Sequence, residues 1–406
     1  MLAWPRIVAR PQHILDAALI AAVAIAALQA IPLPRAVRFG VAPAFQRLDD
    51  ALYLDSRDAV SRPITVDPPA TRQALVLACV GLIVFFSART LFAGSGARVV
   101  LRVTSICGLV ASGLAIVQHA VSPLLLYGLW RPVNRSAFPY TPFVNRNDLA
   151  AWLILAIPLT AGYALTRLQA RRSSAAAPLA SVIDETTAWL FGAIAGMTAA
   201  LMVSLSRAGL TGGAAAGLSL VCMSRGRLSR RGQVGLIVAM AVVVVAASFY
   251  VSRGSFLTRV EETIASGVGA RSEIWQMTGA IIRDFPITGI GVGAYARAAT
   301  VYQPPHDFAF NHAHSEYLQV LAEGGIALAT VVAVALAAGV IRAWRLLRDD
   351  GTPYFWIRAG SLSGIAAIAV QSVWETGLRM PANAVLFAVC CGAALSEPAR
   401  TEAADV

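Results

Sequence analysis

The chain has 406 residues, 57% of them hydrophobic and only 14% charged, with a mean hydropathy of +0.66. Soluble domains carry nearly twice that share of charge, which excludes an ordinary soluble enzyme. The net charge of +11 comes from 33 basic residues, all arginine, and they punctuate the gaps between apolar runs instead of gathering with aromatics in one patch, which argues against nucleic-acid binding.

Apolar runs predict helices over 14–33, 74–94, 100–120, 149–166, 187–204, 209–223, 233–251, 318–341, 359–374 and 384–397. Each is near the roughly 20 residues that a bilayer core requires. The expected fold is all-α: a polytopic transmembrane helical protein with about ten spans. The first run is too long, and lacks a small-residue cleavage site, to be a removable signal peptide, so it is expected to stay as an anchor. Between it and the second run, 34–73 reads as an outward loop bearing Pro and Asp, expected to lie along the bilayer surface.

The arginines fall in alternate loops: Arg167, Arg171 and Arg172; then Arg225, Arg227, Arg230 and Arg231; then Arg342, Arg345, Arg348 and Arg358. This positive-inside pattern puts both termini in the cytoplasm. The outward loops are then 34–73, 121–148, 205–208, 252–317 and 375–383. The chain divides into membrane helices one to seven over 1–251, a large, partly helical periplasmic loop over 252–317, and helices eight to ten with a short tail over 318–406.

Within the large loop, Arg271 to Ile282 reads as an amphipathic helix with Ile274, Trp275, Thr278 and Ile281 near one face. Asp284-Phe285-Pro286 stops it. Gly289-Ile290-Gly291-Val292-Gly293 then makes a permissive turn, since no βαβ context supports a dinucleotide fingerprint. Cys79, Cys107, Cys222, Cys390 and Cys391 lie in or beside apolar spans without metal spacing and read as small packing residues.

Five polar clusters fall on the outward side. They are Phe143–Asp148 with Arg146, Ser204–Gly209 with Arg207, Arg271 with Glu273, the segment Asn311-His312-Ala313-His314-Ser315-Glu316-Tyr317, and Arg379. Arginines at the outward ends of spans run against the positive-inside tendency. Two roles fit them: binding an anionic lipid phosphate through the planar guanidinium fork, or snorkelling to the headgroup layer. The histidines likewise fit a structural role or acid/base work on a sugar hydroxyl. Neither a zinc site nor any other metal site is indicated, and no cofactor is called for. Gly324 and Gly325 would allow close packing beneath the histidines.

In order along residues 140–390, these segments resemble the O-antigen ligase/polymerase superfamily of bacterial envelope proteins. The matching pieces are Phe143–Asp148, Ser206–Gly209, Arg271–Trp275, Asp284–Gly291, Asn311–Gln319 and Met380–Ala384. The resemblance implies a GT-C-like glycosyltransferase of the inner membrane, its active site facing the periplasm. Such an enzyme takes a glycan from undecaprenyl diphosphate without a metal and inverts the anomeric carbon. The acceptor would be the lipid A core for a ligase, the next repeat unit for a polymerase, or a protein hydroxyl for an oligosaccharyltransferase. The resemblance maps the essential histidine onto His314, with His312 next, and the phosphate-binding arginines onto Arg207 and Arg271. Arg146 and Arg379 join them as candidates, and Glu316 or His312 supports His314. The expected partners are the lipid-linked glycan, the acceptor and the bilayer, with no nucleic acid. A transporter or flippase is the alternative outside enzymology, but it would place its charges at mid-span.

Overall fold

The computed structural model describes residues 13–52, 61–131, 139–174, 184–228, 230, 232–235, 271–304 and 310–397. They are mostly helical. α1 (His13–Leu28) is followed by β1 (Pro32–Pro34), α2 (Arg35–Val41), α3 (Ala44–Leu52) and β2 (Ser61–Pro63). The two strands pair antiparallel, Leu33 opposite Arg62. Then come α4 (Pro68–Ala93), α5 (Ala97–Val121), α6 (Arg146–Ser174), α7 (Glu185–Val203) and α8 (Arg207–Ser224). A helix over 271–284 (α9), α10 (Tyr295–Tyr302), α11 (Glu316–Asp349), α12 (Phe355–Gln371), a 3₁₀ turn (Gly377–Arg379) and α13 (Pro381–Leu395) complete the order.

Nine of the ten predicted apolar runs fall on helices. The run 233–251 lies outside the described residues from 236 onward, as does 252–270 of the predicted large loop. Among the described residues, five helices are long and apolar enough to cross a membrane: α4, α5, α6 as far as Arg171, α7 and α11. α1 and α13 are apolar but shorter.

The tightest crossing joins α6 to α12. A Cβ added at Gly360 would lie 2.2 Å from the Pro158 carbonyl oxygen, and one at Gly162 would lie 2.3 Å from that of Trp356. Only hydrogen fits there, the small-residue packing by which membrane helices approach when lipid offers no hydrophobic driving force. The two helices run antiparallel. Thr166 Oγ1 donates to Pro353 O at one end, and Gln371 Nε2 donates to Asn147 O at the other.

Residues 35–52 do not extend as a loop. α2 and α3 pack on α9 and α10, where Phe45, Leu48, Ile281, Phe285 and Ala298 are fully buried. The rings of Phe45 and Phe285 sit 4.6 Å apart. α9 buries Ile274, Met277, Thr278 and Ile281, the i, i+3, i+4, i+7 stripe of an amphipathic helix, and ends just before Phe285 and Pro286.

α11 departs from the uninterrupted apolar helix that its sequence predicts. Gly325 has φ 60° and ψ −168°, which splits the helix. A break strands carbonyls above and N–H groups below, and buried backbone groups need partners. The glycine turn supplies them. Ile290 N and Gly291 N donate to Ala322 O and Glu323 O at 3.0 and 2.9 Å, while Ile326 N and Ala327 N donate to Pro286 O and Ile287 O at 2.8 and 3.2 Å. The turn needs positive φ at Gly289, Gly291 and Gly293 (65°, 103° and 83°), and a Cβ at Gly289 would fall 2.3 Å from the Glu323 carbonyl carbon. These glycines therefore serve backbone packing.

Candidate active site

The starts of α6, α8, α11 and α13 and the ends of α7 and α12 meet at one end of the bundle. The Asn145 side chain accepts from Asn147 N at 2.9 Å at the start of α6. Ser206 caps α8 by accepting from Gly209 N at 3.1 Å, and its hydroxyl also donates to Asn147 Oδ1 at 2.8 Å. The two helix N-termini are thereby tied side by side. Leu205, in the turn before Ser206, takes the left-handed φ of 51° that this reversal demands.

The first residues of these helices are Arg146 and Arg207. A helix N-terminus carries partial positive charge and favours anions, so arginine is electrostatically misplaced at both. Neither guanidinium has a hydrogen-bond or carboxylate partner among the described residues, and Arg207 is exposed. Two helix ends and two cations without a partner among the described residues can receive an anion.

The histidine segment lies on the far side of a short network. Asn383 Nδ2 donates to Asp148 O at 3.1 Å and to Gly377 O at 2.9 Å, which joins the start of α6 to the residues around Glu375. Glu375 is nearly buried. Its Oε1 accepts from Arg271 at 2.8 Å, and its Oε2 lies 3.5 Å from His314 Nδ1. Asp148 is within electrostatic reach of the same carboxylate. His314 itself sits at φ 48°, in the left-handed region that non-glycine residues enter at a cost of order 1–3 kcal/mol when the surroundings hold them there.

What holds it is the peptide before it. Ala313 is fully buried, its N–H donates to Gln319 Oε1 at 3.0 Å, and its carbonyl accepts from Trp275 Nε1 at 3.1 Å. Glu316 N donates to Ser372 O at 3.0 Å and anchors the start of α11 to the end of α12.

Beneath the histidines, Arg379 bridges two carboxylates, Glu316 Oε2 at 3.2 Å and Glu323 Oε2 at 2.7 Å. Gln319 Nε2 donates to Glu323 Oε1 at 3.0 Å and lies 3.5 Å from His312 Nδ1. Glu316, Gln319 and Glu323 follow at i, i+3 and i+7 and so share one face of α11. The His312 ring opens toward the surface, but desolvation by its surroundings, then the nearby Arg379 and His314, hold its pKa below the ordinary 6.5.

The residues singled out in the sequence thus divide. Arg271 and His314 share Glu375; Arg207 and Arg146 pair across two helix starts at the same end. Glu316, expected to support His314, has its carboxylate engaged with Arg379, and Glu375 stands beside His314. Arg379, expected at the diphosphate, has its charge already answered by two buried carboxylates. Glu323 and Glu375 are not among the residues that the sequence singles out, and Asp148 and Gln319 enter there only as the ends of named segments. Glu323 was legible as the second acid two turns along an apolar helix, and Glu375 as the lone acid between Asp350 and Glu397. Among the described residues, no three His, Cys, Asp or Glu come together as a metal-binding group.

A multi-helix membrane protein with an anion-receptive pair of helix ends beside a histidine and a carboxylate is the class these features define. Residues 192–333 match the family model Wzy_C, described as O-Antigen ligase. This match, over a stretch that includes Arg207, Arg271, His312, His314 and Glu323, supports the O-antigen ligase/polymerase superfamily and is consistent with a glycosyltransferase. No curated protein matches the chain.

Proposed function

We propose that this protein transfers a glycan from undecaprenyl diphosphate to an acceptor hydroxyl at the periplasmic face of the inner membrane, as an O-antigen ligase with the lipid A core as acceptor. The observation that carries the reading is the juxtaposition of Arg146 and Arg207, on two tied helix N-termini, with the Arg271–Glu375–His314 cluster.

Fixed donors and cations aimed at a leaving diphosphate stabilise the charge that develops as the glycosidic C–O bond breaks. Arg207 and Arg146 hold the diphosphate, and Arg271, half-exposed beside Glu375, adds its remaining N–H groups. Arg379 shapes the floor of the site. Glu375 faces Nδ1 of His314 and so favours the tautomer that keeps the proton there, leaving Nε2 to accept the proton of the acceptor hydroxyl. The hydroxyl oxygen attacks the anomeric carbon from the side opposite the diphosphate. One C–O bond forms, one breaks, the configuration inverts, and undecaprenyl diphosphate leaves. Arginine supplies the charge that a metal ion supplies elsewhere, so chelators should not slow the reaction.

The test is reconstitution of the purified protein with lipid-linked glycan and lipid A core. Wild type should transfer in the presence of EDTA, and His314→Ala should lower the rate about 1,000-fold while the protein still inserts. Wild-type turnover by the variant would remove His314 from the mechanism. Deletion in cells separates the acceptors on a lipopolysaccharide gel. Loss of the whole ladder means ligase, a single repeat unit left on the core means polymerase, and an unchanged gel with a lost glycoprotein means oligosaccharyltransferase.

A further inference from the structure

The mechanism leaves Gln29 unused, yet this buried side chain at the end of α1 has every polar atom of its amide committed. Its Nε2 donates to Thr288 O at 2.7 Å and to Glu323 O at 2.9 Å, and its Oε1 accepts from Val292 N at 3.0 Å. Its backbone carbonyl accepts from Thr65 N at 3.0 Å. The next residues repeat the attachment: Val66 N donates to Ile290 O at 3.0 Å, and Thr71 Oγ1 donates to Val292 O at 2.7 Å. One side chain therefore clasps α1, the glycine turn and the break in α11.

The clasp reaches the candidate site through a single residue. Glu323 gives its carbonyl to Gln29 and Gly291, and its carboxylate to Arg379 and Gln319. Gln319 in turn holds the Ala313 N–H and approaches His312. Because Gly325 interrupts the helix just after Glu323, the helical ladder below the break does not fix this turn. Side-chain and loop bonds must do so instead.

We infer that Gln29 is a positioning residue for the His312–His314 segment, acting through Glu323 and Gln319 across the break in α11. This rests on the proposed transfer reaction for its kinetic consequence, but not for its structural one. Gln29→Leu removes all three amide bonds at similar size. Gln29→Glu keeps the acceptor for Val292 N and removes the donors to the carbonyls when ionised. The full-length protein in nanodiscs is compared by hydrogen exchange, and transfer is measured with undecaprenyl-diphosphate-linked glycan.

In Gln29→Leu, amide protection should fall at least tenfold both in 286–293 and in 310–316. The maximal transfer rate should drop at least tenfold, with KM for the lipid-linked donor within twofold, because Arg146 and Arg207 lie on separate helices. Gln29→Glu should show the same pattern more weakly. Combining Gln29→Leu with Gln319→Leu should add less than twofold to the larger single effect, since both act on one chain of contacts.

Exchange that rises only in 286–293, additive effects, or a KM change without a rate change would overturn the inference. So would failure of both Gln29 variants to fold, which would make the clasp purely structural. If 310–316 responds as stated but the wild-type protein transfers no glycan, the positioning role stands and the proposed reaction falls.

Discussion

Arginines at the helix starts of one end of the bundle meet different surroundings from those at the other end. At one end lie the last turns of α6 and α8 and the starts of α7 and α12. There Arg167 and Arg171 both reach Asp184 at 2.7 Å. Arg358 pairs with Asp350 and donates to the carbonyls of Ala394 and Ser396 at 3.1 and 2.7 Å. Arg227 donates to Asp350 O and stacks 4.5 Å over Phe355. Arg167, Arg171 and Arg227 lie toward or just beyond the C-terminal ends of α6 and α8, where cations are favoured, and Arg358, in the first turn of α12, reaches the last carbonyls of α13. At the other end Arg146 and Arg207 stand at helix N-termini, where the backbone disfavours them and no described side chain offsets the cost. Arginine is answered by carboxylates and carbonyls at the first end, as Arg271 and Arg379 are at the second, while Arg146 and Arg207 have no such partner among the described residues. Helix polarity and available carboxylates, rather than the charge itself, make the difference.

The sharpest test of that contrast is a pair of single substitutions. Arg207→Ala should lower the transfer rate about 100-fold, the scale for losing one donor to developing charge. Arg227→Ala should leave it within about twofold, as an exposed surface charge contributes little. Equal losses in reconstituted transfer would erase the distinction between the ends.

Glu375→Gln comes next. It preserves shape while withdrawing the negative charge that Arg271 and His314 share, and should slow transfer about 10- to 100-fold. The compensating Arg271→Gln in the same chain should recover little, because His314 would still lack its orienting carboxylate.

Between the ends, Gly360→Ala probes the scaffold. Its Cβ would meet the Pro158 carbonyl and force α6 from α12, at a cost of about 1–3 kcal/mol read as a lowered melting temperature. Transfer at low temperature should persist in the folded fraction.

The smallest effect is the pH response of the histidine loop. The folded pKa of His312 lies below the ordinary 6.5, so the folded state binds fewer protons there than the unfolded state. Its contribution to stability is present above pH 6.5 and is lost as pH falls through the lowered folded value. Amide protection in 310–316 should weaken across that acidic window, and His312→Gln should flatten the dependence. A loop equally protected throughout would show that His312 protonation is not coupled to its order.

The apolar periodicity determined where the described helices run, because burying some twenty apolar residues in a row is a local free-energy choice. Asn-His-Ala-His-Ser-Glu and Ser-Arg-Ala-Gly marked the candidate site, because ionisable side chains beside spans are costly and conspicuous. Partner choice was not local. Glu316 went to Arg379, and Glu375, distant in sequence from both Arg271 and His314, became their shared carboxylate. The split of α11 at Gly325, and the use of the glycine turn to fill it, depended on backbone groups separated by more than thirty residues meeting at van der Waals distance. Which carboxylate answers which cation, and which broken hydrogen bonds find partners, is fixed only when the helices pack, since electrostatic and hydrogen-bond energies depend on distances that no stretch of sequence sets alone.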